Sequence, residues 1–461
     1  MSEGGLERAQ KKMAAAAVHQ QAIDVFTHYY RQLEAGVTGL IPEDSIIPLE
    51  HPDLLDSVAV SEDEAAAALG RTAIIKLNGG LGTSMGMDRA KSLLAVRDGK
   101  SFLDIIVAQV RSARAAYRVT LPLIFMNSFR THEDTLAALA PYEDLRVEGL
   151  DLDFVQNSEP KLLASDLSPV EWPSDPDLEW CPPGHGDLYP SLEASGLLGR
   201  LLDLGYRYAS VSNSDNLGAA PSGQIAGWFA ASGAPYAAEI CRRTAADRKG
   251  GHLAIRKADR RLILRDTAQT AKEEMRYFTD EHRHPYFHTN NLWFDLAALQ
   301  ATLHERHSVL GLPMIRNEKT VDPQDSSSPA VIQIESAMGA AIEVFEGATA
   351  IGVGRDRFLP VKTTSDLLLI RSDVYDIDAD GRIAKIIQST PLIDLDSSHY
   401  KTITAFDRRF PAGPPSLRAA SGLAVEGDWT FEEGVTVRGA VRLEDNGSPQ
   451  TVAAGSVLSG D

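Results

Sequence analysis

AIIKLNGGLGTSMGMDRAKS, residues Ala73 to Ser92, passes from an apolar, strand-like run into a loop holding Gly79, Gly80, Gly82 and Gly86, and reaches Lys91 just beyond it. A strand that stops at a cluster of glycines leaves backbone N–H groups with no Cβ in the way, so a phosphate or a flat base can approach closely. Lys91 then adds positive charge nearby. The loop departs from both common nucleotide fingerprints. The dinucleotide pattern needs a glycine three residues after Gly82, where Met85 stands, and the Walker A pattern needs a lysine directly after its last glycine, where Met87 follows Gly86. Neither a dinucleotide-dependent dehydrogenase nor a P-loop NTPase is favoured. Taken alone, the loop is read equally well as a tight turn needing positive φ.

Outward from this loop, strand-like and helical runs alternate: AIIKL, FLDIIVAQVRSARAA, LPLIFMN, THEDTLAALAPY. That alternation, from about Arg71 to Gln388, predicts a doubly wound α/β domain with a mainly parallel sheet. Ligands of such sheets gather at the carboxyl ends of the strands. On the N-terminal side, Met13, Ala17, Ile23, Phe26, Tyr30 and Leu33 form a stripe at helical period, which predicts a helix from Leu6 to Leu33 with Gly36 as its stop. On the C-terminal side, after FPAGPPS, the pairs Trp429 with Phe431, Val435 with Val437 and Val441 with Leu443 alternate at period two around Gly434 and Gly439. Short strands with such regular turn glycines predict a small β-solenoid. Self-association through its flat edge and a simple capping role are both open.

Composition narrows the function. At 461 residues the chain can hold two or three domains of roughly 150 residues each. A net charge of -19 argues against a nucleic-acid partner, while a local cationic pocket for a small anion remains compatible with it. Two cysteines, Cys181 and Cys241, are too few for a disulfide framework or a four-thiolate zinc site, and read as packed thiols in a reducing compartment. No apolar run reaches the roughly 18 residues needed to cross a bilayer, and MSEGGLERAQKK lacks the apolar core of a signal peptide. The expected location is the cytoplasm, with no membrane partner.

Several strand-end segments add chemistry. In YRYASVSNSDNLGA, Asn213 and Asp215 follow a strand, where a carboxylate can hold Mg²⁺ against nucleotide phosphates; an N-cap or turn role is the plainer alternative for Asp215. PPGHGD, Pro182 to Asp187, is a stiff loop around His185 that could hold a base or a phosphate. FHTNNLWF sets Asn290 and Asn291 among apolar residues, where a sugar's hydroxyls or a structural hydrogen-bond network would satisfy their amides. RDRFLPVKTTSDLLLI carries Arg355, Arg357 and Lys362 into an apolar run read as a buried strand, a costly place for a lysine with no anion to meet.

Together LNGGLGTSMG with Lys91, FMNSF, PPGHGD, SNSDNLGA, TNNLW, QIESAMGAAI and FLPVKTTSDLLL occur in the order found in the eukaryote-type UTP:glucose-1-phosphate uridylyltransferases, also called UDP-glucose pyrophosphorylases, and the chain resembles that family over most of its length. The resemblance implies a nucleotidyltransferase-type Rossmann-like catalytic domain over 46–405, an N-terminal helical segment over 1–45, and a C-terminal left-handed β-helix over 406–461. It implies UTP and glucose 1-phosphate as substrates and Mg²⁺ as cofactor, with in-line attack of the sugar phosphate on the α-phosphorus. Leu77, Asn78, Gly79, Gly80, Met126, Gln156, Gly184, Asn213, Ser214 and Asp215 would bind the nucleotide, Asp215 also being the protein's metal ligand. His185 would contact substrate phosphate, and Gly251, Asp266 and Asn290 the glucose hydroxyls. Lys91 and Lys362 would be the catalytic cations.

Two stretches depart from the family pattern. A second lysine and a Gly-Pro pair commonly precede the catalytic lysine, where this chain has Asp88, Arg89 and Ala90; and Asp266 stands where the family has Glu. Two other readings are weighed: a pyrophosphorylase for another sugar 1-phosphate, such as galactose 1-phosphate or an N-acetylhexosamine 1-phosphate, and a non-catalytic nucleotide-binding scaffold. The first loop of the N-acetylhexosamine group looks more like AGGQGTRLG, and a scaffold has no need of Lys91, Asp215 and Lys362 together.

Overall fold

The computed structural model describes residues 3–244, 247–248 and 250–460. Its centre is an eleven-stranded sheet. The main path is built from β1 (Asp53–Leu54), β2 (Thr72–Asn78), β3 (Leu123–Asn127), β4 (Asp153–Val155), β5 (Tyr208–Asn213), β6 (Tyr236–Arg242), β7 (Tyr286–Asp295) and β8 (Thr349–Val353). Across the sheet they run β1-β8-β6-β7-β5-β2-β3-β4. Every neighbouring pair is parallel except the two made by β7, which runs antiparallel between β6 and β5. The mainly parallel sheet expected from the alternation is therefore present, with one reversed strand inside it. Three further strands, Ile46–Pro48, His252–Arg256 and Leu262–Arg265, form an antiparallel extension that reaches β7 at Phe287.

Both faces of the sheet are covered, as the solid apolar run of β2 requires. Ile74 enters the core on one side with the helix Phe102–Tyr117, while Ala73 and Ile75 enter the core on the other with the helices Leu188–Ala194, Leu197–Asp203 and Leu296–Glu305. Phe102–Tyr117 starts where Ser101 and Asp104 close a reciprocal capping box, and its buried residues recur at helical spacing.

The chain leaves β2 for β3 and β4 on one side and returns to β5 on the other. The carboxyl ends of β2 and β5 therefore lie side by side at a switch in strand order, with Leu77 opposite Asn213. Such a crevice is where an open α/β sheet takes its ligand.

The N-terminal segment is two helices, Glu3–Ala15 and Gln20–Glu34, instead of one. The apolar stripe continues through both, but Ala17 takes a positive φ of 57° and His19 caps the second helix by accepting from Gln21 N. The second helix ends at Glu34, with Gly36 at φ 70°. Both pack through Ala9, Met13, Phe26 and Tyr30 against Leu162, Ile332 and Ile334.

The tail forms two small parallel sheets. One joins Leu392–Leu395, Ser416–Val425, Thr436–Leu443 and Val457–Ser459; the other joins Trp429–Phe431 and Gln450–Val452. Phe431, Val435, Val437 and Val441 point into the main core; Gly434 turns at φ 73°, whereas Gly439, at φ 68°, lies inside the strand Thr436–Leu443, which runs unbroken from Val437 to Leu443 instead of turning there. Cys181 and Cys241 are free and buried. Among the described residues no helix is long and apolar enough to cross a membrane.

Candidate active site

The glycine loop leaves β2 and folds back on itself. Lys91 N donates to Gly80 O at 3.2 Å and Leu81 bridges Ala90, which returns Lys91 to the mouth of the crevice. Gly80 opens onto free space, whereas a Cβ on Gly79 would press on the Gln156 amide at 2.8 Å. Gln156 itself follows β4 and is fixed by Gln156 N donating to Asn127 O at 2.8 Å. Asp88 and Arg89 are exposed on the outer limb of the loop.

Asp215 stands just beyond β5. Its Oδ2 lies 2.7 Å from Lys91 Nζ, and the two side chains are 16% and 18% exposed on the lysine and aspartate sides respectively. Its Oδ1 is buried with no hydrogen-bond partner. A carboxylate oxygen left over in this way fits a hard divalent cation whose remaining positions are filled by phosphate oxygens and water. Among the described residues no group of three or more His, Cys, Asp or Glu side chains could hold a metal unaided, so the protein's share would be this single carboxylate.

Three of the expected nucleotide residues turn their side chains inward. Asn78 donates to Asn127 Oδ1 at 2.8 Å and Thr135 Oγ1 at 2.9 Å, and its own Oδ1 accepts from Ser214 Oγ at 3.0 Å. Met126 is buried in the core with Ile75 and Phe154. What Asn78 and Ser214 do is tie the ends of β2, β3 and β5 together, leaving their backbone at the crevice. Leu77 contributes in the same way, its carbonyl accepting from Ser214 N at 3.0 Å.

A second group of residues lines a cavity of about 640 Å³ that includes Asn213, Gly251, Asp266, His288, Asn290 and Lys362. That volume suits a drug-sized or sugar-sized ligand, for which roughly 300–1,000 Å³ is usual. Asn213, at the end of β5, joins it to the nucleotide crevice. Asn290 sits within β7 at φ 60°, a left-handed conformation rare for a strand residue, opposite a register shift between Ala238 and Ile240 of β6. The kink separates the two asparagines. Asn290 faces the cavity, while Asn291 is buried and donates to Glu239 Oε2 at 3.1 Å and Arg357 O at 3.2 Å.

Lys362 differs from the sequence expectation. The apolar run after it is the helix Thr364–Arg371, not a strand, and Lys362 is exposed at the cavity edge. TTSD forms a capping box, with Lys362 N and Thr363 N each donating to Asp366 Oδ2 at 2.8 Å. The box consumes the lysine's backbone N–H and leaves its ammonium free to swing.

Two imidazoles are held neutral. Met338 N donates to His185 Nδ1 at 2.9 Å, which leaves the proton on Nε2; burial lowers the His185 pKa against the opposing pull of Asp266. Burial likewise pushes His288 down to about 4, with Asn290 N donating to its Nδ1 at 3.0 Å. Gly184, before His185, has φ 78°, and a Cβ there would meet Ser336 O at 2.7 Å, so only glycine fits the turn.

Sequence reasoning missed Glu239, Asn216 and Lys76 in the floor beneath these loops, and named Arg357 only as a charge entering an apolar run. A signal was present, since Lys76 and Glu239 are the lone charges of the apolar runs AIIKL and YAAEIC. Lys76 is 1% exposed, bonded to Ser212 Oγ at 2.7 Å and Ala219 O at 2.8 Å, and burial lowers its pKa to about 7.

Comparison with known proteins agrees with this architecture. The family model described as UTP--glucose-1-phosphate uridylyltransferase matches residues 23–438. A protein of that name from Hordeum vulgare is 38% identical over 409 residues, covering 88% of this chain and 82% of its own; one from Saccharomyces cerevisiae is 36% identical over 454 residues, covering 96% and 89%. Among solved structures, UDP-glucose pyrophosphorylase from Leishmania major, determined in open and closed forms, superimposes with a TM-score of 0.91 at 40% identity, covering 99% of this chain and 98% of that one. UDP-glucose phosphorylase from Trypanosoma brucei gives a TM-score of 0.91 at 40% identity, covering 99% and 100%.

Proposed function

The chain belongs to the UTP--glucose-1-phosphate uridylyltransferase family, and from that premise we propose that it transfers the uridylyl group of UTP to glucose 1-phosphate, giving UDP-glucose and pyrophosphate. The observation that carries the reading is the meeting of Lys91 with Asp215 at the switch in strand order. A glycine loop, a cation and a half-satisfied carboxylate converge there beside a sugar-sized cavity.

The chemistry asks for positioning more than for acid–base groups. The phosphate of glucose 1-phosphate already carries anionic oxygens at neutral pH, with a second pKa of about 6 for a phosphate monoester, so no general base is needed. One of those oxygens forms the new bond to the α-phosphorus of UTP as the bond to the departing pyrophosphate breaks. The obstacle is the mutual repulsion of two anions. Lys91 neutralises charge on the triphosphate from the nucleotide side, and Lys362, free on its capped helix, draws in the sugar phosphate from the other. Leu77, Gly79 and Gly80 offer backbone to the nucleotide; Gln156 and Gly184 flank the base, with Met126 packed in the core behind them; Asn78 and Ser214 hold the strand ends that carry these groups. Asn213 lies between nucleotide and sugar. Gly251, Asp266 and Asn290 read the sugar hydroxyls, and neutral His185 donates Nε2–H to phosphate.

Mg²⁺ is the divalent cation of this reading, held by Asp215, and when bound it offsets charge on the α-phosphate and the leaving pyrophosphate. The same reading divides the chain into helical segment 1–45, catalytic domain 46–405 and tail 406–461, takes the tail as a left-handed β-helix able to self-associate, and sets the protein in the cytoplasm. Parallel pairing and regular turn glycines support the view of the tail. The test of function is pyrophosphate release from UTP with glucose, galactose and N-acetylglucosamine 1-phosphates, with and without Mg²⁺. Glucose 1-phosphate is expected to be the preferred acceptor. Absence of turnover with every acceptor would leave the scaffold reading standing.

A further inference from the structure

Beneath the two loops lies a buried charge cluster that plays no direct part in the reaction. Glu239, in the middle of β6, is 0% exposed, and Arg357 is 9% exposed. The guanidinium grips the carboxylate with both prongs, Nε donating to Oε2 at 3.0 Å and Nη2 to Oε1 at 2.8 Å. Trp293 Nε1 donates to the same carboxylate at 3.0 Å and Asn291 Nδ2 at 3.1 Å, so its lone pairs are fully used. Stability alone is a weak reason for such a pair, because apolar residues of similar shape commonly serve as well.

Its other contacts show what the pair joins. Arg357 Nη1 donates to Ala220 O at 2.6 Å, in the loop that follows Asp215. The Arg357 carbonyl accepts from Asn216 Nδ2 and from Asn291 Nδ2, each at 3.2 Å. Leu359 N donates to Asn216 Oδ1 at 2.8 Å, and Val361 N donates to Asp215 O at 3.2 Å. Gly218 packs so tightly on the backbone of Asp356 and Arg357 that a Cβ would collide with it. The loop bearing Asp215 and the segment ending at Lys362 are thus one body seated on Glu239.

We propose that Glu239 and Arg357 are positioning residues for the transfer, fixing Asp215 and Lys362 relative to each other and so aligning the nucleotide phosphates with the incoming sugar phosphate. The proposal rests on the uridylyltransferase reading of the site. It has a specific kinetic signature, because Asp215 serves the metal and the triphosphate while Lys362 serves the sugar phosphate. Loosening their common seat disturbs both ligands at once, whereas a merely structural pair would lower the melting temperature and leave the folded enzyme's constants unchanged.

The experiment compares full-length wild type, Glu239→Gln and Arg357→Lys well below their melting temperatures, measuring kcat and the half-saturating concentrations of Mg²⁺ and glucose 1-phosphate. Gln keeps the shape of the carboxylate and removes its charge; Lys keeps the charge and removes the fork. A misplacement of ~1 Å can lower turnover on the order of 100-fold, so kcat is expected to fall at least tenfold, with both half-saturations rising together. Unchanged constants in a folded variant, or a rise in one half-saturation without the other, would overturn the proposal. If Glu239→Gln does not fold, Arg357→Lys is judged by the same criterion. A wild-type protein that makes no UDP-glucose would instead overturn the reading beneath it.

Discussion

Replacing Lys91 with alanine removes the cation at the centre of the site. In the structure its ammonium stands 2.7 Å from Asp215 Oδ2, in a pocket where the side chains are 16% and 18% exposed. A phosphate oxygen entering that pocket meets the same ammonium at a similar range. One pair of unit charges about 3–4 Å apart, at an effective dielectric near 20, is worth roughly 4–5 kcal/mol. Part of this is offset by giving up the Asp215 contact, which leaves about 3–4 kcal/mol, in line with the loss of one preorganised electrostatic contact to a transition state. At about 1.4 kcal/mol per tenfold, Lys91→Ala is expected to lower kcat by roughly 10²–10³-fold. The KM for glucose 1-phosphate, whose phosphate the proposed mechanism assigns to Lys362, should change little. The truncation also leaves both Asp215 oxygens without a partner, at a cost of about 1–3 kcal/mol that added Mg²⁺ should partly restore. Pyrophosphate release at saturating substrates, with each KM determined separately and thermal denaturation run with and without Mg²⁺, measures all three quantities. A folded Lys91→Ala protein turning over within tenfold of wild type, or one whose only defect is its KM for glucose 1-phosphate, would refute the reasoning.

Lys362→Ala should lower kcat by a comparable factor and raise the KM for glucose 1-phosphate, yet leave the melting temperature unchanged, since the helix cap uses only the backbone N–H of residue 362; steady-state kinetics beside a melting curve checks both halves. Gly184→Ala forces a left-handed φ of 78° on a residue with a Cβ 2.7 Å from Ser336 O. The strain of about 1–2 kcal/mol plus the clash should lower the denaturation midpoint and weaken phosphate binding through His185, read by urea titration and by KM. His288 is held at about 4 against an ordinary 6.5. Its neutral form therefore contributes stability that is fully present above pH 6.5 and lost as pH falls toward 4. The difference of about 2.5 pH units at 1.36 kcal/mol each amounts to about 3 kcal/mol at most. Urea titrations at pH 7 and pH 4.5 should show wild type losing more stability than His288→Asn over that interval, and a gap between the two proteins that does not change with pH would contradict the assignment.

The elements that sequence revealed are those whose cause is local. Ser101 and Asp104 cap a helix, and the alternation of Ala73, Ile74 and Ile75 builds a strand buried on both faces. Four glycines in one loop and a carboxylate just after a strand can both be read from a few neighbouring residues. The break at Ala17 was hidden because the apolar stripe continues through both helices, so the period alone predicted a single one. Lys362 was misread because DLLLI is too short for periodicity to separate strand from helix, although the Thr363–Asp366 capping box was there to separate them.

Sequence by itself thus determined the α/β class, the candidate site residues that follow its strands, and the family pattern that connects them. Tertiary structure alone decided which strands are neighbours, and with that the meeting of Lys91 and Asp215 across 124 residues of chain. It reversed β7 inside a parallel sheet, turned Asn290 to the cavity and Asn291 to the interior, and drew Asn78 and Ser214 into structural bonds. It also joined Glu239 to Arg357, 118 residues apart. The physical reason is that periodicity and capping act over one or two turns of chain, whereas the partner of a buried charge is selected by packing among all the elements that close around it.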